Sequence, residues 1–547
     1  VTVGGEQGTT FKDGLRYDGG SDDWTGRDRS ARNPDPTLDG IRAARGFFAG
    51  QSFGNPNGFT PTEIEAVGER VAANSSYDPF LSELGPDLGA SVAGGQRFDI
   101  NDDVRVGVLG SVRYSQQWDN QEETRRLLQA SNAGLVIRDE TEMLRTLREI
   151  DLSAFSVLGL ELGSDHRFTL TSMLLRQTTD EAREETGIID AQELQRYRLE
   201  WVENSLLSHQ LAGQHRIPFF DEMADFDWQY TDAAARRYAP NTTQFRFNFD
   251  DGGRRTLSQF GESNEQNWSN LDDDSRSLDL GLKAPFAFND GATYGTVDLN
   301  AGRTLRDRDS YIRRYGFGFR FSDSSVFNQV IGLPSLGQML VPQFIGPNGF
   351  VLQEVTAATD NYVADQRIDY VGLGVDVSFD DRFRINAGAR YETNNDLRWE
   401  YYFSSDESLS VALFRKEFDK PIEKLLLPAT GSLLQTLANA ESATNQGIEI
   451  DYFQRLGWAD GWFGDVDMEN WFIAANYSWI DSEIVLDRAR AGVSTNLNRP
   501  LEGQSPYVAN LQLGYSSPEG THETALSFNV AGERIVQVGI DTQPDVY

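Results

Sequence analysis

The chain has 547 residues, a formal net charge of −35 and no cysteine. Such acidity would repel phosphate and argues against nucleic acid as a partner, and the missing thiols exclude disulfides and thiolate metal sites. Mean hydropathy is −0.48 and no apolar run reaches the ~18 residues of a membrane-spanning helix, but a membrane β-barrel stays open, because only alternate residues of its strands must be apolar.

Alternation is the dominant signal in chain order. "VRVGVLGSVRYSQQW" puts Val104, Val106, Val108, Val112 and Tyr114 on one face. "RSLDLGLKAPF" does so with Leu278, Leu280, Leu282, Ala284 and Phe286, and "GTVDLNAGR" follows with Val297, Leu299 and Ala301. In "GLGVDVSFDDRFRINAGARYE", Leu373, Val375, Val377 and Phe379 alternate with small or polar residues. The pattern resumes after Asp380-Asp381 with Phe383, Ile385, Ala387, Ala389 and Tyr391. That is a β-hairpin with one apolar and one polar face. "GIEIDYF", "WFIAANYSW", "SPYVANLQLGY" and "ETALSFNV" continue the series, giving roughly sixteen or seventeen segments, many of the length a tilted membrane strand needs.

The connections fall into two sizes. Short Gly/Asp/Asn turns are "FDINDDVRV", "ELGSDHRF", "FNDGATYG", "SFDDRFRI", "SSDESLS" and "SSPEGTHE". Long polar excursions are expected at 6–95, 119–150, 231–275, 303–367, 424–445 and 481–504. Outer-membrane barrels alternate in this way, with short periplasmic turns and long external loops. Within the excursions, "TPTEIEAVGERVAA" predicts a helix with Thr62 and Glu65 as a capping box. "ETEMLRTLREID" and "GSLLQTLANAE" also have helical spacing.

The arginines decide which face meets lipid. Arg384 and Arg390 share the polar face with Asp376 and Asn386, and each would cost about 2–4 kcal/mol against lipid near the midplane. They therefore belong to an aqueous lumen, and a lumen that holds many charges implies a wide barrel.

With these elements in place, the sequence resembles the TonB-dependent receptors of Gram-negative outer membranes. The resemblance runs through "LRYDGGSDDWTGRDRSARNPDP", "HRFTLTSMLLRQTTDEA", "WVENSLLSHQLAGQHRI", "FDWQYTDAAARRYAPNTTQFRF", "DNYVADQRIDYVGLGVDVSFDDRFRINAGARYE", "WEYYFSSDESLSVALFRKEFDKPIE" and "PLEGQSPYVANLQLGYSS". It implies an all-β fold, a transmembrane antiparallel β-barrel of about 22 strands when complete, with 1–547 as its barrel domain. It also implies an N-terminal plug and a segment that engages the energy-transducing TonB complex, neither of which is found in 1–547. Strands are expected to be missing between Thr393 and Asp396 and after residue 547; at the first place a genuine Asn-Asn-Asp turn is the alternative.

Function follows as expectation. The resemblance implies energy-coupled uptake of a scarce nutrient such as a siderophore, cobalamin or oligosaccharide, a small-molecule ligand that nothing in the sequence selects. The implied partners are outer-membrane lipid, lipopolysaccharide and the TonB complex, with no cofactor, no enzymatic activity and an outer-membrane location. One alternative is a barrel that anchors external loops for a partner protein or glycan; another is a soluble all-β enzyme or lectin. Loop aromatics Trp24, Phe47, Phe48 and Trp268 are candidates to stack on a ligand. Tyr401, Tyr402, Tyr477, Trp479, Tyr507 and Tyr515 fall at strand ends and read as interfacial aromatics. "GQSFG" at 50–54 matches a nucleophile-elbow pattern, but "NPNGF" follows where a helix is needed, so it reads as chance. His166, His209, His215 and His522 sit at unrelated positions, without thiols or carboxylates at ligand spacing. The pairs Asp22-Asp23 and Asp102-Asp103 and the run Asp272-Asp273-Asp274 read as solvated charge.

Overall fold

A computed structural model of the chain describes residues 1–29, 31–43, 47–52, 55–131, 134–189, 192–220, 222–250, 252–258, 264–288, 293–319, 324–356, 360–379, 383–392, 394–402, 407–429, 432–462, 468–488, 494, 496–517, 521–536, 538–539 and 544–546. The period-two segments become strands, and each strand pairs antiparallel with the next. Sixteen of them form one meander: β1 Asp87–Asp99, β2 Val104–Ser131, β3 Gly134–Leu162, β4 His166–Ile189, β5 Gln192–Phe219, β6 Glu222–Phe249, β7 Glu265–Phe288 and β8 Thr293–Phe319. It continues with β9 Tyr362–Phe379, β10 Phe383–Glu392, β11 Asn394–Tyr402, β12 Ser408–Asp419, β13 Ser442–Arg455, β14 Trp471–Val485, β15 Tyr507–Ser516 and β16 Glu523–Ala531. Four short strands complete a 20-stranded sheet.

The register makes the alternation continuous across the sheet. Tyr507, Trp479, Ile448 and Leu413 are successive partners on β15, β14, β13 and β12. The row passes Leu397 of β11 to Ala389, Leu373, Leu299, Leu282 and Phe226 on β10 to β6. It ends through His215 and His166 at Leu162 and Val104. Leu299, Leu373 and Leu413 keep 47%, 48% and 46% of their surface exposed, so this apolar band has no protein cover. One step along the strands the other face is polar. Asn510 donates to Asn476 at 2.9 Å, Asn476 to Asp451 at 2.8 Å, and Ser410 to Asp451 at 3.2 Å. Arg390 belongs to this polar face and lies over the Tyr370 ring at 3.8 Å; the Arg384 side chain lies outside the described residues.

Several expected loops are strands. β2 has 28 residues and β3 has 29, so they absorb nearly all of 119–150; at ~3.4 Å per residue β2 is about 95 Å long, far more than a barrel's apolar band of about 25 Å. Much of 231–275 and of 303–367 is likewise strand. The "ETEMLRTLREID" segment lies inside β3, and part of "GSLLQTLANAE" is the strand Ser432–Asn439. The reason is tertiary: β3 is bonded on both edges, to β2 and β4, and this ladder outweighs helical spacing. β10 and β11 flank residue 393 and pair directly, Tyr391 opposite Asn395.

Candidate ligand-facing cap

Beyond the band, the long strands carry a folded cap made by residues 9–84 and 324–354. Its first layer is the antiparallel strand pair Asp13–Arg16 and Phe80–Glu83. Helix α1, Pro36–Ala43, and helix α2, Pro61–Ala73, follow. α2 begins at Pro61 because proline lacks the N–H that the first turn cannot bond and is preset to helical φ. The capping box is therefore Thr60 with Glu63: Thr60 N donates to Glu63 at 2.7 Å, and Glu63 N to Thr60 Oγ1 at 3.3 Å. Thr62, the residue expected to cap, lies inside the helix.

The cap is held to the strands by one apolar cluster. Leu38, Phe48, Val67, Val71 and Tyr77 from the first segment meet Phe245, Phe247, Trp268, Tyr315 and Phe317 from β6, β7 and β8. Leu336, Met339, Phe344, Phe350 and Leu352 close it from the second. Thr146, Thr178 and Trp201, which the cap also covers, lie an even number of steps from Leu158, Leu170 and Leu211. The capped face is thus the continuation of the face that carries the apolar band.

Arg32 is the charged hub of the cap. Its guanidinium donates to both oxygens of Asp23, at 2.9 and 2.7 Å, and to Asp28 at 3.2 Å. It lies over the Trp201 ring at 4.3 Å, while its backbone carbonyl accepts from Trp268 Nε1 at 2.8 Å. Burial works against the charge, but the Asp23 hydrogen bonds outweigh it and hold Arg32 protonated more firmly than usual. A second pair joins α2 to the first segment, Arg70 to Asp35 at 2.8 Å. Burial pushes Asp35 up, yet the hydrogen bonds from Arg70 and Thr37 win and hold it below the ordinary carboxylate value. Arg313 pairs with Glu354, both almost fully buried, and Arg314 is held by Glu265 at 3.0 Å and Asp360 at 3.2 Å. Both arginines are thus matched by carboxylates.

The four loop aromatics divide. Trp24 and Phe47 stand exposed on the cap, Phe47 under Arg313 at 5.1 Å. Phe48 and Trp268 are buried in the cluster behind them. A cleft of about 610 Å³ opens beside Phe48, between Phe59, Ile64 and Glu65 on one side and Ile345 to Glu354 on the other. Ser52 of "GQSFG" sits in a turn bridged to Asn55, well before α2 begins. Two of the acidic clusters are built into the structure instead of solvated: Asp23 under Arg32, and Asp273 under Arg306 and Arg308. Sequence reasoning missed Arg32 and Glu354: Asp23 and Asp28 are close to Arg32 in the chain, but the Trp201 and Trp268 that enclose it, like the Arg313 that pairs with Glu354, come from segments distant in sequence.

The strand-end aromatics form pairs. Trp471 opposes Tyr515 with ring centroids 5.3 Å apart, and Trp479 opposes Tyr507 eight residues further along β14. Eight residues span roughly 27 Å, close to the height of a barrel's apolar band. Tyr477 lies between the two pairs, exposed on the same face. The side chains of Tyr401 and Tyr402 lie outside the described residues.

A long antiparallel meander with an uncovered apolar band, aromatic pairs at its margins and a cap over the strand extensions is the architecture of an outer-membrane β-barrel. Residues 393–545 match the family described as TonB dependent receptor-like, beta-barrel. Similar solved structures include BauA, the ferric preacinetobactin receptor of Acinetobacter baumannii, at 9% identity and a TM-score of 0.40, with 82% of this chain and 68% of that one covered. The unliganded ferric citrate transporter FecA is similar at 11% identity and a TM-score of 0.40, over 82% of this chain and 63% of that one. The ferric yersiniabactin uptake receptor FyuA of Yersinia pestis is similar at 11% identity and 0.35, over 82% and 69%. A comparison with curated proteins found no match.

Proposed function

We propose that the chain is the barrel of a receptor in the outer membrane of a Gram-negative bacterium, and that the receptor carries out energy-coupled uptake of a scarce nutrient. The observation that supports this reading most is the family match over 393–545, in the same meander whose strands extend into a folded cap. A solute too large or too rare to enter through an open pore needs a capture surface and an energy input. The cap, with Trp24 and Phe47 exposed and a cleft beside Phe48, supplies a capture surface of aromatic character. Lipid contacts the apolar band. Lipopolysaccharide meets the acidic exterior through bridging divalent cations, and the TonB complex supplies the energy.

The test is uptake of a panel of ferric siderophores, cobalamin and labelled oligosaccharides by cells that carry the full-length gene product and no competing receptor. Receptor-dependent accumulation that stops on dissipating the proton-motive force supports uptake. Retention at the surface that is indifferent to the proton-motive force would instead mean an anchor for external loops.

A further inference from the structure

His166 and His215 are direct cross-strand partners on β4 and β5. They lie near the end of the sheet where Gly163–Asp165 makes a short turn. Their Nδ1 atoms are 3.1 Å apart; His166 is exposed and His215 half-buried. Trp228 of β6 donates its Nε1–H to His215 Nε2 at 3.0 Å. In neutral His215 the proton is therefore on Nδ1 and is donated to His166 Nδ1, which presents its lone pair toward its neighbour. Phe226 stacks on the His215 ring, 6.0 Å between centroids at 23°. Gly213 leaves the space this needs, since a Cβ there would stand 2.3 Å from Trp228 Nε1 and 2.7 Å from His215 Nε2.

Two imidazole nitrogens 3.1 Å apart match the bite of a metal ion bound by both. With metal–nitrogen bonds of about 2.05 Å the angle at the metal is about 98°, between square-planar and tetrahedral values. We propose that His166 and His215 form a two-nitrogen site for a divalent late transition-metal ion, with Cu²⁺ bound most tightly and Ni²⁺ and Zn²⁺ less so. Both rings bind through Nδ1. The Nδ1 proton of His215 moves to its own Nε2, so the ring stays neutral and no net proton is released. Nε2 then no longer accepts, and the Trp228 N–H is freed. Beside the polar Gly163–Asp165 turn, at the margin of the apolar band, water fills the remaining positions; no group of three or more His, Cys, Asp or Glu able to hold a metal occurs among the described residues.

The full chain in detergent micelles, titrated with CuCl₂, tests this. The expected result is one copper whose electron paramagnetic resonance spectrum shows two coupled nitrogens, with quenching of the Trp228 emission. Second-shell changes alone cost roughly 10–100-fold in metal affinity, so His166→Asn and His215→Asn should each weaken binding by at least about tenfold. His209→Asn, on the same strand but hydrogen-bonded to Ser172 at 2.9 Å, should leave it unchanged. Trp228→Phe should keep the copper and lose the fluorescence change. Equal copper affinity in the wild type and the His166→Asn/His215→Asn double variant, or a first copper with fewer than two nitrogens, overturns the proposal.

Discussion

His166 and His215, 49 residues apart in the chain, face each other with ring nitrogens 3.1 Å apart. Trp228 fixes the tautomer of the second from the next strand. Gly213 makes this arrangement possible. Gly213→Val is expected to push Trp228 away from His215 and to cost roughly 1–3 kcal/mol by overpacking. A shifted Trp228 emission, compared with Gly213→Val/Trp228→Phe, together with retained barrel assembly, checks this.

The apolar band sets a second expectation. Leu280 lies in the exposed apolar face, whereas Asp279, on the polar face, accepts from Tyr370 Oη at 2.7 Å. Leu280→Arg should cost about 2–4 kcal/mol in lipid and hinder assembly far more than Asp279→Arg. Heat-modifiable gel mobility of both variants refolded into vesicles is the measurement; equal tolerance would reverse the assigned faces.

The cap depends on Arg32. Arg32→Leu leaves Asp23 and Asp28 without their guanidinium, with side chains only 11% and 0% exposed. Stranding a buried charge costs about 3–5 kcal/mol, so residues 9–84 should become protease-sensitive while the strand meander stays intact. Arg32→Lys should rescue only in part, because an ammonium cannot match the two-pronged contact with Asp23.

At α2, loss of the cap in Thr60→Ala should cost about 1 kcal/mol of local stability, read as faster amide exchange over Pro61–Ala73. Acid acts on the same region. The folded protein holds Asp35 below its ordinary value of 3.8 and, through hydrogen bonds from Thr60, Glu63 below 4.5. Their contributions are therefore fully present above those ordinary values and are lost as pH falls through the lower folded values. Protection of α2 amides, taken relative to their intrinsic exchange rate at each pH, should fall below about pH 4 in the wild type, and less so in Asp35→Asn.

The sequence by itself determined the strands and their two faces. Alternation such as Leu373, Val375, Val377 against Gly374, Asp376, Ser378 is a local property, since successive side chains of a strand point to opposite sides. It also determined that α2 exists. Only tertiary structure decided how far the strands extend: Met143, Leu144 and Leu147 have helical spacing, but pairing with β2 and β4 on both edges keeps them extended. It likewise decided that Phe48 and Trp268 are core while Trp24 and Phe47 are surface. Register brought His166 to His215, and chain folding brought Arg32 to Trp201 and Trp268. Such contacts depend on the pairing offset between strands and on the path of loops. No local pattern encodes either, because the free energy that selects them comes from burial and hydrogen bonding between segments far apart in the chain.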